Sequence, residues 1–161
     1  MTAETQTRER PVTTRRERMS AYCIQVYRAS PLERIGMIKR GVSAAEAKRI
    51  FTELELGQGA ALKALKLSAA TVNKKAKQNQ TLSPSESERL IGMARLVGQV
   101  GAMVEECGDA QGFDAATWMS RWLSEPVPAL GGARPIELMD TMEGQALVSK
   151  TLAQMESGAY A

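Results

Sequence analysis

Residues 82–86 read Leu-Ser-Pro-Ser-Glu, and this pentapeptide constrains the fold more tightly than any other stretch. Ser83 is suited to the N-cap, Pro84 to the first helical position, and Glu86 to returning a bond to the cap N–H. A long helix therefore starts at Pro84. Leu90, Met93, Val97, Val100 and Val104 line one stripe of it, and Gly108 ends it.

Weaker start and stop signals mark the other helices. Ser30-Pro31 opens one that Gly41 closes. Ser43 and Glu46 read as a second capping box, opening a helix to about Leu56 that buries Ala47, Ile50, Phe51 and Leu54 and is stopped by Gly57. A short helix follows from Gln58 to Leu65, then a tight Lys66-Leu67-Ser68 connection. Asp114 caps a helix carrying Ala115, Trp118, Met119, Trp122 and Leu123 on one face, until Pro126 intervenes. The two tryptophans are expected in the core. Residues 126–135 form a turn-rich loop, a short helix surrounds Ile136 to Met139, and Thr141 caps a last helix with Val148, Leu152 and Met155 inward and Gly158 at its end. Tyr22 to Tyr27 reads as short strand or irregular helix. Few aromatics, with abundant Ala, Leu and Met, favour an all-α fold.

Charge is divided unevenly. Residues 1–80 hold 16 Lys and Arg against 7 Asp and Glu, whereas residues 81–161 hold 5 against 11. A basic half suits a polyanion such as DNA and an acidic half does not, so two partners of different kinds are expected. The plainer alternative is a charged tail with ordinary solvated helix faces. Residues 1–20, rich in Thr, Glu and Arg without apolar period, read as a disordered basic tail. No charged-then-apolar leader opens the chain and no apolar run approaches the roughly 20 residues of a bilayer span, so a cytoplasmic protein without membrane partners is expected.

Gly59 to Lys77 reads as a helix-turn-helix: small residues in a first helix, a leucine before a short turn, and a second helix capped by Ser68. Val72, Ala76 and Ala69 gather on the inward side. Ala70, Thr71 and Lys74 lie opposite, flanked by Lys75 and Lys77, so methyl and hydroxyl groups can approach base edges while ammonium groups meet phosphates. Ser68, Ala70, Thr71, Lys74, Lys75 and Lys77 are the candidate DNA contacts; the alternative is an Ala-rich helix whose lysines serve solubility.

The C-terminal half carries a more specific pattern: Leu82-Ser83, Glu86-Ser87-Glu88-Arg89-Leu90, Ala116 and Trp118 ahead of Trp122-Leu123, Ala129-Leu130-Gly131-Gly132-Ala133-Arg134-Pro135-Ile136-Glu137-Leu138, then Thr141, Gly144, Val148, Leu152 and Gly158-Ala159-Tyr160-Ala161. With the helix-turn-helix before it, this order resembles the MbcA/ParS/Xre antitoxins, partners of RES-domain toxins, over about residues 60–161. The resemblance implies an antitoxin that forms a homodimer and a larger complex with its toxin. It would repress its own operon by binding operator DNA and mask the active site of an NAD-depleting toxin. It implies toxin contacts at Leu130, Gly131, Gly132, Arg134, Pro135, Gly158, Tyr160 and Ala161. The residues alone also allow a structural loop in which the glycines turn the chain and Arg134 caps a carbonyl. The implied organisation is a tail at 1–20, a DNA-binding region at 21–80 with its helix-turn-helix at about 58–78, and a helical toxin-binding domain at 81–161.

Catalysis is not expected. The chain has no histidine, Cys23 and Cys107 match no metal-ligand spacing, and Gly57-x-Gly59 lacks the spacing of a phosphate loop. No cofactor follows. The competing reading is a stand-alone helix-turn-helix regulator whose back half dimerises or senses a ligand.

Overall fold

The computed structural model describes residues 14–108 and 111–158, and these form eight α-helices. They are α1 (Arg15–Arg28), α2 (Pro31–Arg40), α3 (Ala44–Glu53), α4 (Gln58–Ala64), α5 (Ala69–Lys77), α6 (Pro84–Glu106), α7 (Ala115–Ser124) and α8 (Met142–Glu156). Two 3₁₀ turns, Pro128–Leu130 and Pro135–Leu138, lie between α7 and α8. The β pairing among the described residues is limited to a single bridge between Ser43 and Thr81.

The start of α6 follows the sequence closely. Ser83 Oγ accepts from Glu86 N at 3.2 Å, and Ser83 N donates to Glu86 Oε2 at 2.8 Å. The expected stripe is nevertheless only part of the helix's role. Ile91, Ala94, Leu96, Gly98, Gln99 and Ala102 are buried as well as Leu90, Met93, Val97 and Val100, so α6 is enclosed on nearly every side. It touches α1, α2, α7 and α8, and the apolar core built on it is continuous from Met19 to Leu152. Gly98 is where α1 crosses, since a Cβ there would overlap the Cys23 carbonyl; Gly92 gives room to Gln145 of α8 in the same way. Gln145 Nε2 donates to the carbonyls of Arg89 (3.0 Å) and Met139 (2.9 Å), and Gln99 and Ser149 exchange two bonds. These polar groups are thereby satisfied inside the core.

Several local expectations are corrected. Residues 1–13 lie outside the described residues, but residues 15–20 belong to α1, as does Tyr22–Tyr27, which is helix and not strand. Thr14 and Glu17 form a capping box that starts it, and Met19, Cys23 and Val26 bury its inner face. Arg16 is held by Glu55 (2.9 Å), Asp114 (3.0 Å) and Glu53 (3.9 Å), so charges that suggested a tail fix a helix to its neighbours. The Ser43–Glu46 box does not form. Ala44 N donates to Gln80 O at 3.0 Å and Leu82 N to Val42 O at 2.8 Å, while Glu46 pairs with Arg49. This bridge sets the backbone entering α3, and the serine side chain is not needed as a cap. Helix α3 ends at Glu53 and not near Leu56, and Gly57 becomes the N-cap of α4. Met155, expected inward, is 41% exposed.

Candidate functional site

Helices α4 and α5 meet through a four-residue turn that buries Leu65 and Leu67 and sends Lys66 between them into the left-handed region at φ 48°. Leu67 N donates to Leu62 O at 2.8 Å, closing the turn. Two side chains outside the motif brace it: Arg89 Nε donates to Leu65 O at 2.8 Å, and Lys66 pairs with Asp140. Ser68 Oγ accepts from Thr71 N at 3.3 Å, so the expected cap forms. Val72 is the fully buried anchor of α5 and the helix packs on α3. Ala69 departs from expectation, being exposed at the first position, where the helix has not yet met α3.

Residues 56–85 contain five lysines and no acidic residue. Their surroundings separate them. Lys75, one of the candidate contacts, has its Nζ 3.0 Å from Glu86 Oε2 and its side chain only 24% exposed. Lys66 is held by Asp140. Lys74 and Lys77 are exposed and make no ion pair among the described residues. Ser68 and Ala70 are exposed beside them, and Thr71 is half-buried. Nearby carboxylates at Glu86 and Asp140 are held below their usual range. At Glu86 burial pushes the other way but is outweighed by the Ser83 N–H, Lys75 and the Ser83 hydroxyl; at Asp140 the Lys66 hydrogen bond leads.

The second cluster lies after α7. Val127 N donates to Ala133 O at 3.1 Å, Gly132 N to Val127 O at 3.1 Å and Leu130 N to Val127 O at 2.9 Å, so the loop is closed by its own backbone. Gly131 (φ 67°) and Gly132 (φ 84°) supply the left-handed turn, both exposed at its tip. Arg134 is exposed, and its guanidinium has no hydrogen bond or ion pair among the described residues, so it does not cap a carbonyl there. Leu130 is half-buried. Pro135 is buried, because it opens the 3₁₀ turn that packs against α7 and α8, and its ring faces the core. Gly158 follows α8 and lines a cleft with Pro126–Ala129, the residues just before Leu130 in the chain. Tyr160 and Ala161 lie outside the described residues. Trp118 and Trp122 stack with centroids 6.0 Å apart, Trp122 buried and Trp118 partly so, in keeping with their expected core role.

No described helix is long and apolar enough to cross a membrane. Signals for the Lys75–Glu86 and Lys66–Asp140 pairs were absent from local sequence, since their partners lie on other elements.

Comparison with known proteins fits both clusters. The Antitoxin Xre-like helix-turn-helix domain matches residues 33–95, and the Antitoxin Xre/MbcA/ParS C-terminal toxin-binding domain matches residues 111–158. The chain is 57% identical over 136 residues to the Prs ADP-ribosylating antitoxin of Sphingobium sp. (strain YBL2), covering 84% of this chain and 86% of that one. It is 28% identical over 88 residues to Antitoxin Xre of Pseudomonas putida (strain KT2440), covering 55% of this chain and 50% of that one. A helix-turn-helix with exposed lysines, a C-terminal domain of the toxin-binding type and a relative this similar along most of both chains place the protein in the Xre/MbcA/ParS antitoxin family of toxin–antitoxin systems.

Proposed function

We propose that this antitoxin neutralises a RES-domain, NAD-consuming toxin by binding over its active site with residues 111–158, and represses its own operon through α4 and α5. One observation carries the reading: a single chain joins a helix whose Lys74 and Lys77 have no carboxylate partner among the described residues to a domain of the toxin-binding type. Ala70 and Thr71 offer methyl and hydroxyl groups to base edges, and the two lysines offer phosphate contacts. Lys75 contributes by holding α5 in place.

The exposed Gly131-Gly132 tip, Leu130, Arg134 and Gly158 are the toxin-facing groups of this reading, with Tyr160 and Ala161 beyond them in sequence. An exposed arginine without a partner among the described residues can fork onto a carboxylate of the toxin. The Sphingobium relative is named for ADP-ribosylation of Prs. Transfer of ADP-ribose from NAD breaks its bond to nicotinamide, so a toxin of that type consumes NAD. The antitoxin itself acts by binding. A homodimer suits the DNA role, because two helix-turn-helix units reach half-sites one turn apart, about 34 Å.

Co-expression with the protein encoded beside this gene tests the reading. The full chain should co-purify with it, restore growth and stop NAD loss. In a mobility-shift assay the Lys74→Glu, Lys77→Glu double variant should lose the operator while still rescuing growth. No rescue by the full chain would exclude the toxin role, and unchanged DNA binding by the double variant would exclude the α5 assignment.

A further inference from the structure

Between the ends of α7 and α8, Trp122, Pro126, Val127, Pro128, Met155 and Gly158 enclose a cleft of about 450 Å³. Trp122, backed by the stacked Trp118, and the buried Val127 form its inner wall. Met155 stands 41% exposed at the opposite side, apolar surface that gains by being covered. The remaining wall is stiff: Pro126 and Pro128 fix φ, and the 3₁₀ turn that Pro128 opens is closed by backbone bonds. A preformed wall loses little freedom when a partner docks, and an unbranched methionine adapts to the shape that arrives. At the rim the Glu125 carboxylate has no cation partner among the described residues.

We infer that this cleft is the anchor point for the toxin, receiving one bulky apolar side chain from a toxin segment that carries a lysine or arginine beside it. The inference rests on the toxin-binding reading and adds the chemistry of the contact. Among the described residues, all the cleft's walls lie within residues 111–158, whereas the clefts along α1 and α2 draw walls from outside that stretch. It also adjoins the glycine loop and Gly158, so the anchor and the exposed tip belong to one continuous surface. A buried apolar anchor ringed by polar contacts is the arrangement that concentrates binding energy at protein interfaces.

The test measures affinity by titration calorimetry between the full-length chain and the neighbouring toxin, the latter carrying an inactivating active-site substitution. Met155→Glu puts a charge into the cleft and Ala129→Trp fills it; each should weaken binding at least tenfold. Glu125→Lys should weaken it severalfold. Met142→Glu changes a side chain that is 38% exposed at the far end of α8, outside the cleft, and should bind within twofold of the unmodified chain. Circular dichroism and thermal midpoints should match throughout. Binding within twofold by both Met155→Glu and Ala129→Trp overturns the cleft while leaving the toxin reading intact. An equal loss in Met142→Glu also overturns the cleft assignment. Failure of the unmodified chain to bind overturns both.

Discussion

Lys75 Nζ stands 3.0 Å from Glu86 Oε2, so the carboxylate that caps α6 also secures the last turn of α5. Because Glu86 titrates below its usual range in the folded chain, its contribution is complete above the unfolded value of about 4.3 and is lost as pH falls through the folded value. Glu86→Gln should therefore cost about 1–2 kcal/mol near neutrality. That cost should shrink in acid, where the native carboxyl is protonated too. Urea titrations of both proteins at pH 7 and pH 3 measure the difference; an equal gap at the two values would contradict the assignment.

The same pair separates the lysines of α5 by role. Lys74→Ala and Lys77→Ala should each reduce the slope of log affinity against log salt for operator DNA by about 1. Lys75→Ala should leave that slope nearly unchanged and lower the thermal midpoint instead. Fluorescence anisotropy across a salt series, with melting curves alongside, distinguishes the two behaviours.

Two glycines should respond in opposite directions. Gly98→Ala drives a methyl group into the Cys23 carbonyl and should destabilise the chain by about 1–3 kcal/mol. Gly59 lies in α4 with open space where its Cβ would be, so Gly59→Ala should stabilise by about 0.5–1 kcal/mol. Chemical denaturation of the two variants reads both signs.

The cysteines should differ sharply in reactivity. Cys23 is buried, and burial together with the nearby Glu46 charge pushes its thiol up to about 12, while Cys107 is exposed at the end of α6. Iodoacetamide at pH 8 should label Cys107 alone in the native protein and both residues in guanidinium. Rapid native labelling of Cys23 would mean that α1 opens from α6.

What the sequence disclosed was local. Ser83, Pro84 and Glu86 announce α6 because cap and helix are neighbours in the chain, and Ser68 and Asp114 do the same for α5 and α7. Ser43 failed as a cap because the backbone beside it pairs with residues 80–82, far along the chain. Helix α1 was hidden because Met19, Cys23 and Val26 are set among arginines whose carboxylate partners lie on other elements. The candidate site divided similarly. The exposure of Lys74 and Lys77 is legible from helical period, whereas the Lys75–Glu86 pair and the burial of Pro135 depend on what other elements bring against them.

The central position of α6 has a practical meaning for dissecting the molecule. Its first turns brace the helix-turn-helix through Ser87, whose hydroxyl accepts from Val42 N at 2.8 Å, and through Arg89; its middle carries Gln99, bonded to α8. Hydrogen bonds cross from one side of residue 80 to the other. A fragment cut there would leave Leu65, Val42 and the inner face of α1 facing water, and its failure to bind DNA would report lost folding. Single side-chain variants, and not truncations, should therefore be used to separate the two proposed roles, and the chain should melt as one unit with one midpoint, whichever end is watched.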